Sequence, residues 1–177
     1  MNIELTEKYR HIIQNIIDAN VKFYGFANKI EWKFFADPRI AIIAKTDPDL
    51  TLLLNINSVD YAYTINEPLH IEYFILHEIR HIYQRRLVFL YKTDRANCPA
   101  PELASRYDYE FNNYVKPTDR NGYYSQQIEF EAFIFSYSVI LYKYGPIEYI
   151  KLPNYYEKMD AQRHIDCWID IFRKQKL

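Results

Sequence analysis

Leu69-His70-Ile71-Glu72-Tyr73-Phe74-Ile75-Leu76-His77-Glu78-Ile79-Arg80-His81-Ile82-Tyr83-Gln84-Arg85-Arg86-Leu87-Val88-Phe89-Leu90 is apolar around most of a helical circumference. Asn66-Glu67-Pro68 stands in front of it, and proline is at home in the first turn of a helix. A long, largely buried helix is therefore expected from Pro68 to about Leu90. His77, Glu78, Arg80, His81, Arg85 and Arg86 are too many ionisable groups for a membrane span.

Upstream, Tyr9, Ile12, Ile13, Ile16, Ile17, Val21 and Tyr24 recur at helical spacing. They predict an amphipathic helix from Thr6, as N-cap, to Tyr24, with Gly25 as its stop. Three strand-like runs follow: Ile30–Phe35, Arg39–Lys45 and Leu50–Ile56. Asp37-Pro38 and Asp47-Pro48-Asp49 separate them as turns, and connections this short predict an antiparallel meander. Downstream, Lys92–Pro101 reads as a loop, Glu102–Asn113 as a short helix and Val115–Tyr124 as irregular chain. Ser125 is expected to cap a helix that ends at Tyr144 before Gly145-Pro146. Residues 157–174 form a last helix with a stripe at Ala161, Ile165, Trp168 and Phe172. The order predicts one α+β domain over residues 1–177: a helix, a small sheet, then helices.

Composition removes several function classes. The 177 residues carry 22 Lys plus Arg against 23 Asp plus Glu, so no charge excess favours nucleic acid or an anionic membrane. Only 3 glycines are present, which excludes a glycine-rich phosphate loop. Two cysteines cannot build a disulfide framework or a four-cysteine zinc ribbon. Met1–Lys8 lacks a basic segment leading into an apolar run, so the expectation is a soluble cytoplasmic protein without a signal peptide.

His77-Glu78-Ile79-Arg80-His81 is an HExxH motif. Residues i and i+4 of a helix stand about 40° apart around the axis and about 6 Å apart along it. Two imidazoles so placed converge on one metal ion, and nitrogen donors in a tetrahedral site suit zinc. Glu78, one residue on from His77, is placed to act on a metal-bound water, taking its proton.

A catalytic zinc takes a third protein ligand and keeps one position open. The extended motif with a third histidine needs Gly at 84 and His at 87, and this chain has Gln84 and Leu87. The remaining candidates are Cys98, Asp108, Glu110, Glu129, Glu131 and His164. Glu129 leads, because it stands in the apolar run Ile128–Ser136, where a buried carboxylate needs a cation. Glu131 is about 200° away around the same helix, so the two cannot address one ion.

HExxH on one helix and Glu129-Phe130-Glu131-Ala132-Phe133-Ile134-Phe135-Ser136 on a second resemble the gluzincin metallopeptidases, and among them the small ImmA/IrrE-type regulatory peptidases of bacteria and phages. The resemblance implies His77, His81 and Glu129 as zinc ligands and Glu78 as general base and acid. It also implies a zincin-like domain of helix, small sheet, active-site helix and third-ligand helix. Many relatives have Asp or Asn where this chain has Phe133, a residue that orients a metal ligand from behind. That support is expected here from Glu131 or another residue.

The resulting expectation is a zinc-dependent metallopeptidase acting on a peptide or protein substrate. The alternatives are a zinc-containing binding or regulatory module without turnover and a deformylase-like amide hydrolase. An open edge on the Leu50–Ile56 strand would favour a peptidase, since an extended peptide could pair with it. Candidate donors to a developing oxyanion are Tyr107, Tyr109, Tyr114, Tyr123, Tyr124, Tyr137 and His164, with Tyr137 and His164 slightly ahead. His70 lies about 10 Å along the axis from His77, too far to share the ion. Cys98 reads as an ordinary loop thiol, Cys167 as packing, and Arg85-Arg86 as a solvated or salt-bridged pair.

Overall fold

A computed structural model describes residues 3–23, 29–158 and 160–175. Its secondary structure is α+β: α1 (Ile3–Phe23), β1 (Trp32–Phe35), β2 (Ala44–Thr46), β3 (Leu52–Asn55), α2 (Ile56–Thr64), α3 (Leu69–Thr93), α4 (Pro101–Asn112), α5 (Arg120–Ser125), α6 (Gln127–Tyr144) and α7 (Ala161–Gln175). Short 3-10 turns occur at Arg95–Asn97 and Asn154–Lys158. The chain forms two compact units, residues 1–79 and 80–176, and the division falls within α3. No helix among the described residues is long and apolar enough to cross a membrane.

In the first unit the sheet is mixed, not antiparallel. The strand order is β1-β3-β2, with β1 parallel to β3 and β2 antiparallel to it. The reason lies in the link between β1 and β2, which is not a hairpin. Asn55, at the end of β3 and fully buried, donates through Nδ2 to the carbonyls of Asp37 (2.9 Å) and Ile40 (3.2 Å). Its backbone N–H donates to Ile43 O at 2.8 Å. These bonds hold residues 36–43 at the end of β3, and β2 then returns along the opposite edge of β3 from β1. β2 and β3 are joined by a true hairpin, in which Leu50 N donates to Asp47 O at 2.9 Å and Leu50 takes φ 67°. That left-handed residue ends the turn, so β3 begins at Leu52 rather than Leu50. β3 is paired on both sides, so it has no open edge for an extended peptide.

Two helix boundaries also differ from expectation. Helix α1 already includes Ile3, so Thr6 is a buried interior residue and not a cap. Tyr24 and Gly25 lie outside the described residues. The nine-residue α2 is absent from the sequence reading, because extending the third strand to Ile56 conceals Asn55 as a helix cap. The Asn55 side chain accepts from Asn57 N at 3.3 Å. Tyr9 of α1 then stacks on Tyr63 of α2, with centroids 4.7 Å apart, and donates to Asp60 at 2.7 Å.

The second unit is helical. α6 is apolar all round, and most of its residues from Ile128 to Ile140 are buried. α7 lays the expected stripe on it: Phe135 of α6 meets Trp168 and Phe172 at centroid distances of 5.1 and 6.1 Å. The cap of α6 is Gln126, not Ser125, which ends the short helix α5 in a region expected to be irregular. Gln126 instead binds the 114–116 loop, accepting from Val115 N and donating to Val115 O. At the other end Gly145 takes φ 75° and ψ −170°, a region in practice open only to glycine, and its N–H donates to Leu141 O. Leu87 and Val88 of α3 pack with Cys98, Ala104, Tyr107 and Ile128 in one apolar cluster.

Candidate metal centre

The HExxH residues lie in the middle of α3. Its apolar residues Ile75, Leu76, Ile79 and Ile82 are fully buried and hold the intervening polar residues in place. His77 and His81 are only 4% and 8% exposed. One ligand atom from each of His77, Glu78 and His81 lies within 4.8 Å of the other two. The two imidazoles of the motif and its carboxylate therefore lie near one another. Glu78 is half-buried, and its Oε2 accepts a 2.8 Å hydrogen bond from Thr46 Oγ1 at the end of β2. Since β2 is an edge strand, this bond ties the Glu78 carboxylate to the rim of the sheet.

Glu129, in the first turn of α6, is 1% exposed. Its Oε1 lies 3.5 Å from His81 Nε2 and accepts a 2.8 Å hydrogen bond from Tyr114. Glu131 points elsewhere, as the helical angle requires. It accepts from Arg80 Nη2 at 2.7 Å, from the Tyr107 hydroxyl, and from Gln127 Nε2 at 2.9 Å. Burial and the adjacent Glu131 carboxylate push the Tyr107 phenol far above its ordinary range, so it remains a proton donor. The Arg80 guanidinium also lies over the rings of Tyr83 and Trp168, at 4.7 and 5.3 Å. Glu131 thus clasps α3, α4 and α6 together, and these partners do not include His77, His81 or Glu129.

The residue set against the His81 ring is Gln84, one turn further along α3 and fully buried. Gln84 Oε1 lies 2.8 Å from His81 Nδ1, and Gln84 Nε2 donates to the Ile128 carbonyl at 3.0 Å. The spacing of three residues on a helix was the available signal for this pair.

The other candidates have different tasks. Asp108 pairs with Lys92 at 2.6 Å. Glu110 accepts from the backbone N–H of Ile128 at 2.9 Å, at the positive end of α6. Cys98 is buried in the apolar cluster, whereas Cys167 is exposed. His164 is exposed and meets the edge or face of Phe130 at 5.1 Å. Of the tyrosines, Tyr114 donates to Glu129, Tyr107 donates to Glu131, and Tyr109 is 69% exposed. Tyr123 and Tyr124 pack edge-on against Phe133, so that position is filled by an aromatic contact in place of a polar one. His70 pairs with Glu67 at 3.1 Å. The Arg85 guanidinium lies 4.2 Å over the Phe111 ring.

No family model, curated protein or solved structure matches this chain.

Proposed function

We propose that this protein is a zinc-dependent metallopeptidase. The observation that carries the reading is the donor set: His77, Glu78 and His81 within 4.8 Å of one another, and the buried carboxylate of Glu129 3.5 Å from His81. Two imidazoles and a carboxylate are the donors of one class of catalytic zinc site. His77, His81 and Glu129 would hold the ion, which when bound supplies Lewis acidity for a carbonyl and lowers the pKa of water to about 7.

The chain's own residues then divide the work. Glu78 takes the proton of the attacking water and returns it to the leaving amine. Thr46 orients the Glu78 carboxylate through Oε2, leaving Oε1 for the water. Tyr114, hydrogen-bonded to Glu129, holds that carboxylate in one rotamer. The edge strand β2, which carries Thr46, offers backbone groups with which an extended peptide can pair, and this supports a peptide substrate.

Metal analysis by mass spectrometry tests the ligand set. Wild type is expected to hold close to one zinc per chain. His77→Ala, His81→Ala and Glu129→Gln are expected to lose it, and Glu131→Gln to keep it. Absence of metal from the wild type after zinc is supplied would remove the reading. Zinc binding without any peptide cleavage would leave a binding or regulatory module.

A further inference from the structure

We propose that Gln84 is a positioning residue that fixes His81 in its Nδ1–H tautomer and so presents Nε2 as the lone-pair nitrogen. The argument starts at the Ile128 carbonyl, which can only accept a hydrogen bond. The Gln84 atom 3.0 Å from it must therefore be the amide nitrogen. The other end of the amide, Oε1, can only accept, and it faces His81 Nδ1 at 2.8 Å. Nδ1 must then carry the proton. In the neutral ring this leaves the lone pair on Nε2, the atom on the side of Glu129.

Each link in this relay is out of water. Gln84 and Ile128 are both fully buried, so solvent does not compete for the amide. Ile128 is itself fixed, because its N–H is held by Glu110. One backbone peptide thus dictates the proton position on an imidazole 47 residues earlier in the chain (128 − 81). Free histidine favours the opposite tautomer, with the proton on Nε2, which would have to be displaced before a metal could bind there. The proton on Nδ1 follows from these hydrogen bonds, and its consequence for zinc rests on the ligand set proposed above.

The test is a long-range proton–nitrogen NMR spectrum of the metal-free full chain at about pH 8, where an ordinary imidazole is neutral. His81 is assigned by its loss in His81→Ala. The wild type is expected to show a protonated Nδ1 and an unprotonated Nε2. Gln84→Met, of similar length but without donor or acceptor, is expected to admit the Nε2–H form and to weaken zinc binding about 10- to 100-fold. An Nε2–H ring or an imidazolium in the wild type would overturn the proposal without any variant. So would an unchanged Nδ1–H signal in Gln84→Met. A wild type that shows the Nδ1–H ring but takes up no zinc would uphold the role of Gln84 and refute the metal site.

Discussion

Glu78→Gln is expected to bind zinc as the wild type does and to cleave peptides about 10²- to 10⁴-fold more slowly, the range that one general acid–base group contributes. The substitution preserves size and keeps an oxygen able to accept from Thr46 Oγ1, the bond measured at 2.8 Å. It therefore leaves the helix and the neighbouring imidazoles in place, and removes only the ability to take a proton. The measurement pairs zinc content with the rate at which new amino termini appear in a peptide library. Equal cleavage by the variant would exclude Glu78 as the base. Loss of zinc would mean instead that Glu78 belongs to the ligand set, which its position beside His77 and His81 makes the most direct competing role.

The second large effect is on stability. Glu131→Ala is expected to destabilise the fold by about 3–5 kcal/mol, the usual cost of breaking a buried ion pair from one side. The Arg80 and Glu131 side chains are only 7% and 15% exposed, so the pair is largely shielded from water. Tyr107 loses its acceptor in the same step, and its hydroxyl is equally remote from solvent. Urea denaturation should show a lower midpoint with little change in slope. The combined variant Arg80→Met, Glu131→Leu, Tyr107→Phe should recover most of the loss, because an apolar cluster has no charge to strand. If the combined variant is less stable than Glu131→Ala alone, the network contributes more than the desolvation it requires.

The sequence identifies the long helix, its histidines and the apolar run around Glu129, because each depends on local spacing. Helical period places His77 and His81 on one face, and the same period separates Glu129 from Glu131. Strand order is a different matter. Alternation and turn residues indicate three strands, but the parallel pairing of β1 with β3 depends on Asn55 binding residues 36–43, a contact between distant positions. The supporting residues are likewise hard to read from the chain. Gln84 appears in the sequence only as the residue that excludes a glycine-bearing motif, yet it is the residue against His81. Arg80 carried a signal of its own. A guanidinium inside an apolar helix requires a buried carboxylate, and Glu131 was available two residues beyond Glu129.

The two cysteines give this chain an internal clock. Cys167 is exposed and is expected to react with an alkylating reagent in the folded protein, whereas Cys98 is enclosed with Leu87, Val88, Tyr107 and Ile128. Its thiol can react only when that cluster opens, so its labelling rate reports the free energy of opening. Ile128 belongs to the cluster and is the neighbour of Glu129, which makes the clock sensitive to anything that holds Glu129 in place. A bound ion that favours the closed form slows the labelling of Cys98 in proportion to its occupancy, while Cys167 keeps time as the internal standard.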